Sequence, residues 1–309
     1  MQPTALVLVL IVVSVAAFTA QQPIAPQFEV ASVKPSNPNP SGPLGSIPLI
    51  MPPLGGRFTA HNVPLRLLVR AAFAVQDFQI VGGPSWQMER RFDIVAKTEN
   101  AAANMEAILP MLKALLAERF QLKTHTETRE MSVSALVVAR SDGTLGPDLK
   151  ASTADCANQE DQAQQLAEAF AKGGAAAAAA LLPRNGAPMP CAVGPLMPVP
   201  GAPMSFGMRG NGVLISTLTR MLTEFTGRMV NDKTGLTGLY DWEMRFDPEV
   251  MVQLAVRSGV NLPPGIRLPQ SDSPSLLTAL REQLGLKVDS ERGPVEVVVI
   301  DSAELPTPD

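Results

Sequence analysis

Rings are scarce in this sequence. Phe, Trp and Tyr together make up 5% of 309 residues. So few rings leave no stacking platform for bases or sugars. Positive charge is scarce too. The net charge is −4 and no basic patch stands out, which argues against nucleic acid as a partner. Histidine occurs twice, as His61 and His125. Without HExxH or a paired Cys/His spacing, the two do not make a metal site. They read as surface or capping residues. The chain has no GxSxG nucleophile elbow, and "GGPSW" lacks that motif's flanks and its strand-to-helix context. It has no Walker or dinucleotide fingerprint either. "TGLTG" leads into a strand rather than a helix, so the geometry of a phosphate cradle is missing. The sequence therefore predicts no catalytic residue, no cofactor and no metal. Beyond the N-terminus no apolar stretch is long enough to cross a bilayer.

What the chain does have is apolar bulk, proline and glycine. Apolar residues make up 46%, enough for a sizeable core. The length suits two ordinary domains. The N-terminus, "MQPTALVLVLIVVSVAAFTAQQ", opens with an apolar run over residues 5–17 and continues into small residues. Residues 1–20 read as a signal peptide, with Val15-Ala16-Ala17 or Ala20 at the cleavage zone. No Lys or Arg precedes the run, and an uncleaved anchor is the alternative. In that case the membrane is met only through this segment. The expected location is outside the cytoplasm, periplasmic or extracellular.

Export makes a disulfide permissible. The two cysteines, Cys156 and Cys191, are expected to bridge and to close a loop of 36 residues.

Two stretches echo each other. "GGPSWQMERRFDIVAKTE" and "TGLTGLYDWEMRFDPE" both run from a Gly-rich turn into an aromatic-Asp pair and then an alternating strand. The pairs are Phe92-Asp93 and Tyr240-Asp241. At an offset of 164, Leu112, Leu116, Glu118, Leu122, Lys123, Glu127 and Val133 fall on identical residues, Leu276 to Val297. At offsets of 148 to 153, Leu65 falls on Leu218, Val81 on Val230 and Phe92 on Tyr240. Periodicity predicts the same order of elements in both places. Asn62 reads as the N-cap of one helix, Ser273 as that of another, and Gly227 and Gly285 as helix ends. The expected fold is α+β, with two homologous β-α-β-β-α-β-β units and mixed sheets.

The expected organisation has five parts. After the signal peptide, residues 21–56 hold a strand, "FEVASVKPS", and a Pro/Gly loop. Residues 57–140 form the first unit. Residues 141–208 form an Ala/Pro/Gly-rich linker carrying the cysteine pair. Residues 209–309 form the second unit, interrupted by an insertion at about 248–272. The stretch "ANQEDQAQQLAEAFAK" reads as helical, and the rest of the linker as low complexity.

Taken together, "FEVASVKPS", "GRFTAHNVPLRLLVRAAFAVQDFQIVGGPSWQMERRFDIVAK", "MLKALLAERFQLKTHTETREMSVSALVVA", "DKTGLTGLYDWEMRFDPE" and "VVVIDSAELPTPD" resemble the exported acidobacterial family known as domain of unknown function 3738. The resemblance implies export and implies no activity, substrate or catalytic residue. Similar domains are attached to membrane-bound sensor-type metallopeptidases. The helix-then-strand opening of each unit is also similar, at fold level only, to the small N-terminal domains of secretins and TonB-dependent receptors.

Five residues are candidates for a groove between the units: Trp86, Asp93, Tyr240, Asp241 and Trp242. Two carboxylates that met across the repeat could do acid/base work. The competing expectation is that each Asp bonds backbone groups of its preceding turn, and that the Trp side chains pack in the core. The reading that results is an exported, non-enzymatic binding or scaffolding protein of the cell envelope. Its partner would be an envelope protein or peptide, met through sheet edges or through the groove. Two other classes stay open. One is a hydrolase with carboxylates converging between the two units. The other is a ligand-sensing domain that works with a membrane partner.

Overall fold

The computed structural model describes residues 26–37, 47–101, 103–157, 191–196, 206–260 and 272–306, with a few isolated residues between 165 and 181. The expected signal peptide lies outside them. So do most of the expected helix in the linker and the later part of the insertion.

The first half of the chain runs β1 (Val30–Pro35), β2 (Leu49–Leu54), β3 (Arg57–Pro64), α1 (Leu65–Phe73), β4 (Ile80–Gly82), β5 (Arg91–Lys97), α2 (Met105–Arg119) and β6 (Lys123–Val138). The second half runs β7 (Leu149–Ala151), β8 (Ala192–Pro195), β9 (Phe206–Val213), α3 (Ile215–Thr226), β10 (Val230–Asp232), β11 (Tyr240–Phe246), α4 (Glu249–Arg257), α5 (Leu276–Gln283) and β12 (Leu286–Ser302). The fold is α+β, and among the described residues the strands form three four-stranded sheets. Two outer sheets are antiparallel, ordered β1-β5-β3-β2 and β7-β11-β9-β8. The middle sheet is ordered β10-β6-β12-β4. Its central pair is antiparallel, and each short flanking strand runs parallel to its neighbour.

The helices follow their apolar stripes. Leu65, Leu68, Val69 and Ala72 of α1 are buried, as are Ile108, Leu112, Leu115 and Leu116 of α2. Three N-terminal boundaries differ from the expectation or refine it. Helix α1 starts after Pro64, whose extended backbone ends β3, and not at Asn62. Helix α5 is capped by Ser275, whose Oγ accepts from the Thr278 N–H at 3.2 Å. The expected Ser273 and Pro274 lie before it, and the Pro274 carbonyl accepts from the Asp247 N–H. Helix α2 is capped by Asn104, which accepts from the Ala107 N–H at 3.0 Å. Gly227 ends α3 with a φ of 67°, as its sequence position suggested.

One expectation is overturned. The two strands expected to end each β-α-β-β-α-β-β unit, within 121–140 and 286–302, do not form as pairs. Each segment is a single long strand, of 16 and 17 residues. They pair with each other from Leu286↔Val138 to Ser302↔Lys123. Nothing between Gln121 and Arg140 can turn the chain. Gly293-Pro294, at the boundary between the two expected strands, stays in the ladder at Met131 and Glu130. Each unit is thus β-α-β-β-α-β, and its last strand pairs with the other half of the chain.

The linker needs a correction as well. It is not uniformly low in complexity: β7 and β8 lie within 141–208 and form both edges of the second outer sheet. β1 and β2 are the matching edges of the first. The cores cross the halves in the same way. Val298 and Ile300 of β12 pack in the first core, with Phe58, Phe92 and Leu116. Leu136 of β6 packs in the second, with Trp242, Phe246 and Leu280.

Candidate functional site

The aromatic-Asp pairs fix a local feature in each outer sheet. Phe92 and Tyr240 are buried at the starts of β5 and β11. The Asp that follows each points to the opposite face, because side chains alternate along a strand. In the first sheet Asp93 Oδ1 accepts from the Asn62 N–H at 2.8 Å and from Ser36 Oγ at 2.6 Å. His61 Nδ1 lies 2.9 Å from the same oxygen. In the second sheet Asp241 Oδ1 accepts from the Gly212 N–H at 2.7 Å.

Asn62 and Gly212 both carry positive φ, 54° and 63°. Each sits where the pairing of β3 or β9 with its neighbour slips, between Ala60 and Val63 and between Gly210 and Val213. Each Asp therefore ties down the extra residue of a β-bulge on the facing strand. This differs from the expected partner, the preceding turn. A bulge N–H points away from the ladder and needs an acceptor of its own.

Replacing Asp93 or Asp241 with Ala should cost about 1–3 kcal/mol by leaving that N–H unpaired. Asn should be milder, since its carbonyl oxygen can still accept. Denaturant midpoints of the four variants check this, and equal midpoints for Ala and Asn would contradict it.

The two Asp side chains are held in different sheets by different partners, and no hydrogen bond joins them. Trp242 is 1% exposed in the second core, its indole fitted over Gly210. Trp86 is half-buried and meets Phe92 edge-on at 6.3 Å. Of the five groove candidates, Trp86 and Tyr240 pack with the two cores, while Trp242, buried in the second, also edges a cavity on the second outer sheet beside Asp241. Among the described residues no group of three or more His, Cys, Asp or Glu side chains is placed to hold a metal ion.

The disulfide is formed between Cys156 and Cys191, with a Cα–Cα distance of 5.7 Å. It joins the exit of β7 to the entry of β8. It also lies on the bulge: a side chain at Gly212 would meet Cys156 Sγ at 3.2 Å and Cys191 Sγ at 3.5 Å. The bridge supports the second outer sheet and does not merely close the linker.

The outward faces of the two outer sheets differ chemically. Register places Ser32, Val95, Thr59 and Met51 in one row across the first sheet. Leu49 pairs with His61 in the next row, and Val30 with Lys97 at the far end. Val30, Leu49, Met51 and Val95 are 64%, 48%, 43% and 38% exposed. They make up four of the nine large exposed apolar residues among those described, gathered on one face. At the matching row the second sheet places Glu243, Arg209 and Gly194, with the Asp148 carbonyl accepting from the Glu243 N–H. Its outward side holds a cavity of about 360 Å³ lined by Asp148, Lys150, Arg209, Gly210, Asn211, Asp241, Trp242 and Glu243.

Sequence reasoning missed this face because β2 lay in a segment read as loop. A signal was present: "VKPS" at 33–36 matches "LKAS" at 149–152. In both, Lys stands opposite the bulge Asp, Lys34↔Asp93 and Lys150↔Asp241.

The family described as a protein of unknown function (DUF3738) matches residues 66–303. No curated protein and no solved structure matches the chain.

Proposed function

We propose a binding or scaffolding function for this chain, which belongs to the DUF3738 family. The protein is exported, works in the cell envelope without catalysis, and meets an envelope protein or peptide through the outward face of its first outer sheet. One observation carries this reading: Val30, Leu49, Met51 and Val95 are exposed together on that face. The four share that face with Arg57, Thr59, His61 and Lys97, and such a mixture of exposed apolar and charged side chains suits a partner surface. The other outer sheet has the same strand order and fills the matching row with charge, so the backbone does not demand apolar residues there. Export is supported by the disulfide, which persists in oxidising compartments. No helix among the described residues is long and apolar enough to cross a membrane.

The test is capture from envelope extract with the tagged protein, compared with the double variant Val95→Glu/Met51→Lys. Glu at 95 is the residue type that the second sheet carries at the matching place, Glu243. Surface changes of this kind alter stability by only about ±0.5 kcal/mol. The variant should keep its unfolding midpoint and lose the captured partner. Undiminished capture would reject this face. Hydrolytic activity lost on replacing Asp93 or Asp241 would favour the enzyme reading instead.

A further inference from the structure

We infer that the molecule is a two-fold dimer of halves closed within one chain, in which each half completes the other's middle sheet and either half can come first. The repeating unit in this inference is larger than the two echoing stretches. It runs from β1 to β6 and again from β7 to β12.

The registers carry the inference, since they coincide to the residue except at one end of the long ladder, where the pairing slips between Ile300 and Ser302. Lys34 pairs with Asp93 and Lys150 with Asp241. Val63 pairs with Phe92 and Val213 with Tyr240. Leu49 pairs with His61 and Ala192 with Asn211, one residue before each bulge. The short strands cross over to the opposite half: Ile80 of β4 pairs with Val298 of β12, and Val230 of β10 with Ser134 of β6. The offset of 164 that relates β6 to β12 carries Ser134 onto Val298, so these two pairs are the same pair seen from either half. It aligns Val230 with Ile80 and not with Val81, a one-residue correction to the sequence alignment. The same offset carries Glu130 onto Pro294, and these two are paired with each other. The two-fold axis therefore passes through the middle of the long ladder.

The chain ends obey the same rotation. β6 exits at the end of α5, where the Ala139 N–H donates to the Gly285 carbonyl at 2.8 Å. The approach to β7 lies there too, with the Gly146 and Asp148 N–H groups donating to the carbonyls of Leu284 and Gln283. β12 exits at the end of α2, where the Glu304 N–H donates to the Phe120 carbonyl at 2.7 Å. The approach to β1 is again beside it, with Arg119 donating to the Ala31 carbonyl at 3.2 Å. Residues 139–148, ten in number, bridge the first gap. The rotation requires a connection of about the same length to bridge the second. Such closed two-fold pairing is the commonest geometry of assemblies.

The test is a circular permutant. The chain is opened between Ser141 and Asp142, both exposed, and Leu305 is joined directly to Pro26. Residues 303–305 and 26–29 then form a seven-residue connection between Ser302 and Val30, the first residue of β1. A second permutant joins Ser302 to Val30 through a copy of residues 139–148, leaving all of β1 in place. In parallel, a protease site placed at 141–144 of the native chain is cut after folding. The expected result is a monomeric permutant with the native circular dichroism spectrum and one cooperative unfolding transition, and cut fragments that elute together. If both permutants fail while the cut chain stays folded, the ends are not related by the two-fold and the inference falls. If the cut halves separate, they are not partners and it falls as well.

Discussion

Leu116→Ala and Leu280→Ala should each destabilise the protein by about 2–5 kcal/mol, the usual range for truncating a buried leucine. Both side chains are fully buried, Leu116 in the first core and Leu280 in the second. Leu116 belongs to the same core as Phe92 and Phe120, whose rings meet edge-on at 4.9 Å. The second core has its own locked contacts, with Phe246 against Phe206 at 5.3 Å and Phe225 at 5.7 Å. The effect should also spread. Val298 and Ile300 belong to the first core yet lie on the last strand of the second half, and Leu136 is placed the other way round. Melting one core removes a strand from the other. Both variants should therefore lower one common urea midpoint, seen alike by Trp fluorescence and by circular dichroism. A two-step transition with one half retained would show that the shared sheet does not couple them.

Replacing Cys156 and Cys191 with Ala should cost about 3–4 kcal/mol for a loop of this length in the chain-entropy model. The bridge is not confined to a loose connection. Cys191 is buried, and both sulfurs stand over the Gly212 bulge that Asp241 holds. Losing the bridge should release β8, which has only four residues and pairs on one side alone. The expected result is a lower unfolding midpoint together with faster amide exchange at 192–195, while exchange in the first outer sheet stays unchanged. A midpoint equal to that of the intact protein would mean that β7 and β9 already fix this corner. The unreduced protein should give no titratable thiol on unfolding, since among the described residues no free cysteine is present.

Much of this architecture is legible in the order of residues alone. Alternating side chains gave β1, β5 and β11, β3 and β9 were placed as short strands, β9 from residue 211 where it begins at Phe206, and three- and four-residue spacing gave α1, α2 and α3. These signals are local, because the period of a strand or helix is fixed by its own backbone. The echo between the Phe92-Asp93 and Tyr240-Asp241 segments, and the pairing of two cysteines in an expected oxidising compartment, could also be read without coordinates. The class α+β followed from the order of these elements.

Partner choice could not be read in this way. The stretch "QLKTHTETREMSVSALVVAR" holds no turn residue, which disfavours folding back on itself, but nothing in it says that its strand pairs with residues 286–302. The short edge strands β7 and β8 are too brief for periodicity to register, and they gain their identity only from the neighbour they pair with. The role of each Asp was decided by a bulge on a strand about 30 residues away, a distance no local pattern spans. The exposed face followed last. Leu49 and Met51 fall in the stretch whose Pro and Gly read as a loop, and only the placing of β2 at a sheet edge makes them a strand and turns them outward, because a strand must put alternate side chains on opposite faces.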